Sequence, residues 1–167
     1  MKTFPALRDN DLILLPLVHQ HIQTIRAWRN RDDVRPWLFD SHVITEQEQE
    51  RWWENVYAPD PNDCIWTAYL VNRLFGMASL YHIDLDKREG EWGRLIIGED
   101  WARGKGLGKR IGVLVREYGF DLGLERLYCS LYTANTAVTP VDLGIGFRPY
   151  KVEGDVTYME LWRKDWR

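Results

Sequence analysis

The chain has 167 residues, 45% of them hydrophobic and 28% charged, with a net charge of −3. This length is typical of one domain that buries its own core, so we expect a single domain over residues 1–167. The negative charge argues against a general nucleic-acid binder, whose domain would usually be basic.

The N-terminal stretch MKTFPALRDND lacks the apolar segment and cleavage site of a signal peptide, which predicts a cytoplasmic protein. The longest apolar run, Leu12 to Val18, is far shorter than the ~20 residues of a membrane span and contains Pro16, so no membrane association is expected. Cys64 and Cys129 lie far apart without a CxxC partner, which predicts two reduced thiols, with neither a disulfide nor a metal site.

The N-terminal third alternates a strand with helices. A short strand from Leu12 ends at Pro16, and apolar spacing predicts a helix over residues 19–30. Its inward face carries Ile22, Ile25 and Trp28. A short helical piece follows and is interrupted at Pro36.

A third helix begins with a capping-box pattern. Thr45 is followed three residues later by Glu48, and the helix is expected to run to about Tyr57. This region also holds several of the nine tryptophans. They are interpreted as core packing or, alternatively, as the wall of an aromatic cleft.

The middle of the chain changes to the two-residue period of strands. The runs CIWTAYLV, FGMASLYHIDL and EWGRLII predict an antiparallel meander with turns at Asn72–Arg73 and Glu89–Gly90. A helix over residues 107–122 then crosses to the strand RLYCSLYTA, which should be parallel to its neighbour. The inward face of this helix carries Leu107, Ile111, Leu114, Val115, Tyr118 and Leu122. A late helix and a hairpin turning at residues 153–155 complete an α+β fold that borders on α/β.

The stretch WARGKGLGKRIG concentrates glycines and cations at the start of the crossover helix. A helix N-terminus already carries partial positive charge, so Arg103, Lys105, Lys109 and Arg110 are unfavourable there unless an anion such as phosphate binds. Gly104, Gly106 and Gly108 would leave the backbone N–H groups open to that anion. A flexible basic loop, with glycines only as turn residues, explains the composition equally well.

The order of elements, with EWGRLIIGEDWARGKGLG, RLYCSLYTAN and GIGF, resembles the GNAT superfamily of acetyl-CoA-dependent N-acetyltransferases. The family motif R/Q-x-x-G-x-G/A is matched at Arg103, Gly106 and Gly108. The resemblance covers the chain from the WRN of Trp28 to Asn30 through the C-terminal hairpin. It implies one GNAT domain with a central, mixed, mostly antiparallel sheet that is splayed at the cofactor site.

The resemblance also implies where acetyl-CoA binds. The pyrophosphate would lie on the amides of the loop, and pantetheine would enter between the strand that ends at Ile97 and the strand that ends near Ala134. The loop residues are Arg103, Gly104, Lys105, Gly106, Leu107, Gly108 and Lys109. Backbone groups of Ile96, Ile97 and Gly98 would pair with pantetheine and polarise the thioester carbonyl, and Asn135 would contact the cofactor.

Acetyl transfer needs a neutral amine, and a lysine-like amine with a pKa near ~10.4 is protonated at pH 7. Glu91 opens the strand beside the thioester and is our candidate base, although it also fits a solvated residue of a turn. His82 and Asp84 on the neighbouring strand are the next candidates for the base.

The family's frequent general acid, a tyrosine, is replaced here by Asp142. Thr139 as N-cap, Pro140 at the first position and Asp142 at the third would make a good helix start, which explains Asp142 structurally. Tyr132 on the adjacent strand is a second candidate acid. A third interpretation is a sensor that binds acyl-CoA without turnover.

The acceptor is expected to be a small-molecule amine. WRNRDDVRPWLFDSHVITEQEQERWW resembles the GNAT branch that acetylates nucleotide-linked amino sugars, which would place Trp28, Arg29 and His82 at the acceptor. Ribosomal-protein, polyamine and aminoglycoside acetyltransferases share parts of this pattern. A polyamine enzyme should line its cleft with acid, whereas this region is rich in arginine. The oligomeric state stays open, a homodimer included.

Overall fold

A computed structural model describes residues 2–166 of the chain. The strands are β1 Leu7–Asp9, β2 Leu12–Pro16, β3 Cys64–Leu70, β4 Arg73–Asp84, β5 Glu89–Ile97, β6 Arg126–Tyr132, β7 Arg148–Glu153 and β8 Val156–Trp162. The α-helices are α1 Ile22–Arg29, α2 Glu46–Trp52, α3 Leu107–Asp121 and α4 Thr139–Ile145. In residues 2–166 no helix combines the length and apolarity needed to cross a membrane.

The strands form one eight-stranded sheet in the order β1-β2-β3-β4-β5-β6-β8-β7. Neighbouring strands are antiparallel except β5 and β6, which α3 joins by a crossover. This is the predicted α+β architecture, with a meander followed by one parallel step.

Each face of the sheet buries its own apolar cluster. The face under α3 and α4 carries the larger cluster, with Trp92, Ile111 and Ile145 among its members. The opposite face packs Met77 and Ile96 against α1 and the segment that follows α2. The sheet is therefore covered by helices on both faces, as a three-layer domain requires.

A β-bulge reverses the side-chain alternation within β5. The register of β4 with β5 shifts between Met77 and Ser79, and Arg94 has a left-handed φ of 52°. As a result Trp92 and Ile97 face α3 and α4, whereas Ile96 faces α1, although Trp92 and Ile96 would share one face of a regular strand. The bulge lies midway along the strand that borders the site.

The predicted helix starts are largely confirmed. The side chain of Thr45 accepts from the N–H of Glu48, and the Glu48 carboxylate accepts from the N–H of Thr45, which completes the capping box. The segment after α2, Trp53–Tyr57, continues as a π-helix to the predicted end. The helix predicted over residues 19–30 begins with a 3-10 turn, His19–His21, and becomes α1 at Ile22.

Two local predictions were wrong, and one strand was missed. The turn expected at Glu89–Gly90 lies at residues 85–88, and β5 begins at Glu89 because its first residues pair with β6. Leu122 lies beyond the end of α3 and is exposed, so it does not belong to the buried face. Strand β1 was not predicted, because three residues are too few for a period to show.

Candidate active site

The parallel pair of β5 and β6 separates after three residues. Glu89, Gly90 and Glu91 are paired with residues 126–128, and beyond that point the two strands diverge. A cavity of about 640 Å³ opens between them, bordered by residues 92–97 of β5 and residues 129–131 of β6. The splay predicted from the family resemblance is therefore present.

The cofactor residues predicted from the glycine-rich motif lie at one end of this cavity. Arg103, Gly104, Gly106, Leu107, Gly108 and Lys109 line it, as do Ile96, Ile97 and Asn135. Lys105 and Gly98 are not among the lining residues, and the Lys105 ammonium lies 5.6 Å from the ring centroid of Trp101.

The first turn of α3 presents free hydrogen-bond donors to the cavity. Within residues 2–166, the N–H groups of residues 106–109 donate to no protein atom. Lys109 forms no ion pair in the same part of the chain and lines the cavity beside them. Free N–H groups, the helix dipole and an unpaired ammonium together fit a phosphate group.

The motif glycines have a conformational reason as well as a steric one. Gly104 and Gly106 both have φ of 71°, in the left-handed region, and Gly106 is the N-cap of α3. A Cβ on either residue would meet no atom within 4 Å, so the space above the loop is open. The backbone path and the open space both favour glycine here.

The structure corrects the role predicted for Gly98. Its N–H donates to the carbonyl oxygen of Phe75 at 2.8 Å, and its own carbonyl accepts from Arg31 Nη1 at 3.1 Å. The N–H of Gly98 is therefore not free for pantetheine, and its carbonyl already accepts one hydrogen bond. A Cβ on Gly98 would lie 2.1 Å from the Trp28 ring, so glycine is required for the packing of α1 on β5.

The hydrogen bonds between β4 and β5 also determine which backbone groups of β5 face the gap between β5 and β6. Ile96 lies directly opposite Met77, and the next residue bonded to β4 is Gly98. Antiparallel pairing alternates bonded and outward-facing residues, so Ile97 turns its polar backbone groups toward the gap while those of Ile96 point to β4. The carbonyl of Ile97 accepts from Arg103 Nε at 3.1 Å.

Asp142 lies in the wall of the cavity and in the first turn of α4. Val138 occupies the N-cap position of α4 without a side-chain cap, and the Thr139 hydroxyl bonds the carbonyl of Asn135. Asp142 is only 3% exposed and accepts from Trp92 Nε1 at 2.9 Å. The N-cap predicted at Thr139 was therefore wrong, because the helix begins one residue earlier, whereas Asp142 lies in the first turn of the helix, as predicted.

Burial controls the chemistry of Asp142. Desolvation raises its pKa to about 6, and the hydrogen bond from Trp92 offsets only part of that rise. No cation forms an ion pair with Asp142 in residues 2–166. A carboxyl group in this setting can hold a proton in the neutral range and return it.

Glu91 and His82 form a pair on the other face of the sheet. His82 Nδ1 lies 2.8 Å from Glu91 Oε2, and the His82 side chain is 65% exposed while that of Glu91 is 17% exposed. Trp92 faces α3 and α4, so alternation places Glu91 on the α1 side, where Tyr81 packs beside Gly93. Asp84 lies apart from this pair and bonds Lys87.

Tyr132 does not line the cavity. It packs against Phe39, with ring centroids 4.9 Å apart, and so joins the end of β6 to the loop between α1 and α2. This loop, residues 30–45, is called the α1–α2 loop below. It supplies Asp33, Val34, Trp37 and Leu38 to the cavity wall.

The predicted acceptor residues lie on the α1 side. Trp28 is buried and donates from Nε1 to Glu99 Oε1 at 2.9 Å, so it is a packing residue. Arg29 is half-buried, and within residues 2–166 it has no carboxylate within 4.0 Å. Desolvation and the charge of Arg94 lower the pKa of Arg29.

Two residues at the site escaped sequence reasoning. Arg94 lines the cavity, stacks on Tyr81 at 4.1 Å and forms an ion pair with the buried Asp63 at 2.7 Å. Asp33 lines the cavity and pairs with Arg31. The position of Arg94 at the cavity depends on the bulge in β5, and the position of Asp33 depends on the fold of its loop. The sequence shows neither feature.

Residues 11–148 match the family model described as Acetyltransferase (GNAT) domain. The N-acetyltransferase 9-like protein of Nematostella vectensis is 24% identical over 140 residues, which are 77% of this chain and 68% of that protein. The spermidine N-acetyltransferase of Vibrio cholerae, solved with CoA and spermine, superposes with a TM-score of 0.82 at 20% identity, covering 93% of this chain and 98% of the other. An aminoglycoside acetyltransferase solved with coenzyme A superposes with a TM-score of 0.78 at 15% identity, covering 92% of this chain and 95% of the other.

The splayed sheet, the donor-rich turn of α3 and the family match define the class of this protein. The chain belongs to the GNAT acetyltransferase domain family. It is an acetyl-CoA-dependent N-acetyltransferase, and its fold is a single GNAT-type domain with a mostly antiparallel sheet between helices.

Proposed function

We propose that this protein transfers acetyl from acetyl-CoA to the primary amine of a small molecule that also carries an anionic group, a nucleotide-linked amino sugar being the best candidate. The observation that carries the transfer is the cavity between β5 and β6, whose one end holds free N–H groups and Lys109 and whose wall holds Asp142. Arg29 supports the anionic acceptor.

The cofactor residues present fit acetyl-CoA. The N–H groups of residues 106–109 and the Lys109 ammonium would hold its phosphates, and the backbone of Ile97 would face its pantetheine arm. When bound, acetyl-CoA supplies an acetyl thioester whose carbonyl carbon forms the new C–N bond as the C–S bond breaks.

Glu91 is our proposed base for the amine proton. Its carboxylate is only 17% exposed and already contacts His82, which is 65% exposed and therefore open to water. Glu91 takes the proton through water, and His82 passes it to solvent. Both side chains lie on the α1 face, on which the acceptor would approach.

Asp142 is our proposed acid for the departing thiolate. It lies in the cavity wall, and burial raises its pKa to about 6, which lets part of the population hold a proton near neutral pH. Tyr132 is the weaker candidate, because it packs on Phe39 outside the cavity lining. An acid in place favours turnover over a sensor that only binds.

The charges on the acceptor side favour an anionic group on the acceptor. Asp63 neutralises Arg94 through two contacts to Nη1, at 2.9 and 2.7 Å, whereas Arg29 has no carboxylate within 4.0 Å in residues 2–166. Asp40 acts on Arg29 only at longer range, and Arg29 lies outside the cavity lining. A half-buried guanidinium without an ion pair would repel a polyamine and attract a phosphate or carboxylate. Trp37, in the cavity wall, offers an aromatic surface to a sugar or base.

Two measurements test the proposal. Calorimetric titration should show acetyl-CoA binding, and thiol release should follow addition of an amine. A panel of a nucleotide-linked amino sugar, spermidine and an aminoglycoside separates the acceptor classes. Faster turnover of spermidine than of the anionic amine would overturn the acceptor class and leave the transfer reaction standing.

Arg29→Gln sharpens the acceptor test. We expect the variant to raise the KM of the anionic amine by about ten-fold or more, because a charge-assisted hydrogen bond is worth roughly 1.5–3 kcal/mol. Acetyl-CoA affinity should stay unchanged. Arg51→Gln, on the exposed surface of α2, is the matched control. An equal KM in both variants would remove Arg29 from the acceptor site.

A further inference from the structure

Arg103 opens the phosphate-binding motif, yet its guanidinium is already engaged elsewhere. Nε donates to the Ile97 carbonyl at 3.1 Å, and Nη1 contacts Asp33 Oδ2. Asp33 belongs to the α1–α2 loop, seventy positions away in sequence. The arginine therefore joins that loop to the last residue of β5.

Arg31 makes the second half of the same connection. Its Nε lies 2.9 Å from Asp33 Oδ1, Nη1 donates to the Gly98 carbonyl at 3.1 Å, and Nη2 lies 2.7 Å from Asp100 Oδ1. Asp33 is thus held between two guanidinium groups, each of which also bonds a backbone carbonyl at the end of β5. Hydrogen bonds from both groups hold the pKa of Asp33 well below its usual range.

The base of the α1–α2 loop is closed separately. Asn30 donates to the Ile44 carbonyl at 2.8 Å and accepts from the Ile44 N–H at 2.9 Å. Between this closure and the Asp33 contact lie Val34, Trp37 and Leu38, which line the cavity. Asp33 and its two arginines connect this stretch to the end of β5.

Lys109, unlike Arg103, is left without an ion pair in residues 2–166. Lys109 has no carboxylate within 4.0 Å in residues 2–166 and lies next to the free N–H groups of α3. Nε and Nη1 of Arg103 are already bonded to Ile97 and Asp33, whereas Lys109 loses no ion pair when it binds phosphate. The chemistry of anion binding is then satisfied without Arg103.

We propose that Arg103 is a positioning residue that holds the α1–α2 loop against the cavity through Asp33, while the amides of α3 and Lys109 hold the anionic end of acetyl-CoA. This rests on the proposed acetyl-CoA site for its second half. The first half concerns the loop alone and is measured without any ligand.

Hydrogen exchange and acetyl-CoA titration test the two halves. The amides of Val34, Arg35, Trp37 and Leu38 are bonded within the loop and report its closure. In Arg103→Gln and in Asp33→Asn these amides should exchange about three-fold faster or more, and the double variant should exchange no faster than the quicker single variant. The Kd of acetyl-CoA should change less than about three-fold in Arg103→Gln.

Two control variants separate the roles. Lys109→Gln should raise the acetyl-CoA Kd by about ten-fold and leave loop exchange unchanged. Arg73→Gln, whose guanidinium stacks on Trp101 at 4.0 Å, should change neither measurement. Asp33→Asn should bind acetyl-CoA as well as the parent or more tightly, because it removes a negative charge from the cavity wall and frees Arg103.

The opposite pattern would overturn the proposal. If Arg103→Gln weakens acetyl-CoA ten-fold and leaves the four loop amides unchanged, Arg103 is a phosphate ligand. Additive exchange effects in the double variant would show that Asp33 and Arg103 act independently. If the parent chain fails to bind acetyl-CoA, the proposed function fails, whereas the exchange data still decide whether Arg103 holds the loop.

Discussion

Glu91 and Asp142 lie on opposite faces of the sheet, and their environments divide the proton transfers between them. Glu91 contacts an exposed histidine, so a proton taken there can reach solvent. Asp142 is buried and contacts an indole N–H, so a proton held there stays near the cavity. Two carboxylates in unlike surroundings are the arrangement that acid and base roles require.

Glu91→Gln removes the proposed base and keeps the size of the side chain. We expect kcat to fall by about 10² to 10⁴ while the KM of acetyl-CoA changes little, because Gln cannot take a proton. The pH-rate profile of the variant should lose its acidic limb. A profile that keeps both its height and this limb would move the role to His82 or to bulk water.

Asp142→Asn should make the protein more stable and less active. Because the folded pKa of Asp142 is about 6 and the unfolded value is near 3.8, the charged form destabilises the fold at neutral pH. That cost grows as pH rises from about 4 to 6 and reaches about 3 kcal/mol above it. Asn carries no charge and can still accept from Trp92.

Measuring the stability of the parent and of the Asp142→Asn variant at two pH values tests the predicted direction of the pH dependence. At pH 8 the free energy of unfolding of Asp142→Asn should exceed that of the parent, and the difference should shrink toward pH 4. The same variant should lose at least ~10²-fold in kcat if Asp142 protonates the thiolate. A variant that turns over normally would return Asp142 to a purely structural role.

At the scale of elements, α1 and β5 approach so closely that one methyl group decides their packing. The Trp28 ring lies where a Cβ of Gly98 would be, at 2.1 Å. Trp28 also bonds Glu99, so the ring cannot move away without losing that contact. This approach places the C-terminal end of α1, with Arg29, beside the strand that borders the cavity.

Gly98→Ala should therefore displace α1. We expect a loss of about 1–3 kcal/mol in the free energy of unfolding, the usual cost of overpacking. Denaturant titration measures it. Gly123→Ala is the control for backbone strain without overpacking, because Gly123 has a left-handed φ of 95° and a Cβ there would meet no atom within 4 Å. Equal losses in both variants would show that Trp28 yields and that packing is not the cause.

At the scale of the whole molecule, the cavity is assembled from distant parts of the chain. Its wall combines the α1–α2 loop with residues of β5, β6, α3 and α4. A ligand that fills it contacts both halves of the sheet at the point where their ladder is open. Binding should therefore stabilise the domain as one unit.

Acetyl-CoA should raise the melting temperature in a concentration-dependent way. At a free concentration of 100 times Kd the expected stabilisation is about 2.7 kcal/mol, which is a shift of several degrees for a domain of this size. Thermal melts over a series of acetyl-CoA concentrations give the curve. Lys109→Gln should shift that curve to higher acetyl-CoA concentrations. A melting temperature that does not change with acetyl-CoA concentration would contradict the proposal that the cavity binds it.

The sequence predicted local structural features wherever these depend on residues that are close together along the chain. The capping box of Thr45 and Glu48, the buried stripe of α1 and the glycine-rich turn before α3 are all short-range features. The family motif then predicted a cofactor-binding loop at residues 103–109. Such features are set by backbone geometry and by hydrogen bonds that span a few residues.

Only the tertiary structure decided which side chains are free and which are already bound. Gly98 was expected at pantetheine, but its polar groups already bond Phe75 and Arg31. Asp142 lies at the expected helix start, and its burial beside Trp92, which raises its pKa, could not be predicted from the sequence. Desolvation and long-range pairing depend on the sum of contacts from elements far apart in sequence, and no local pattern carries that sum.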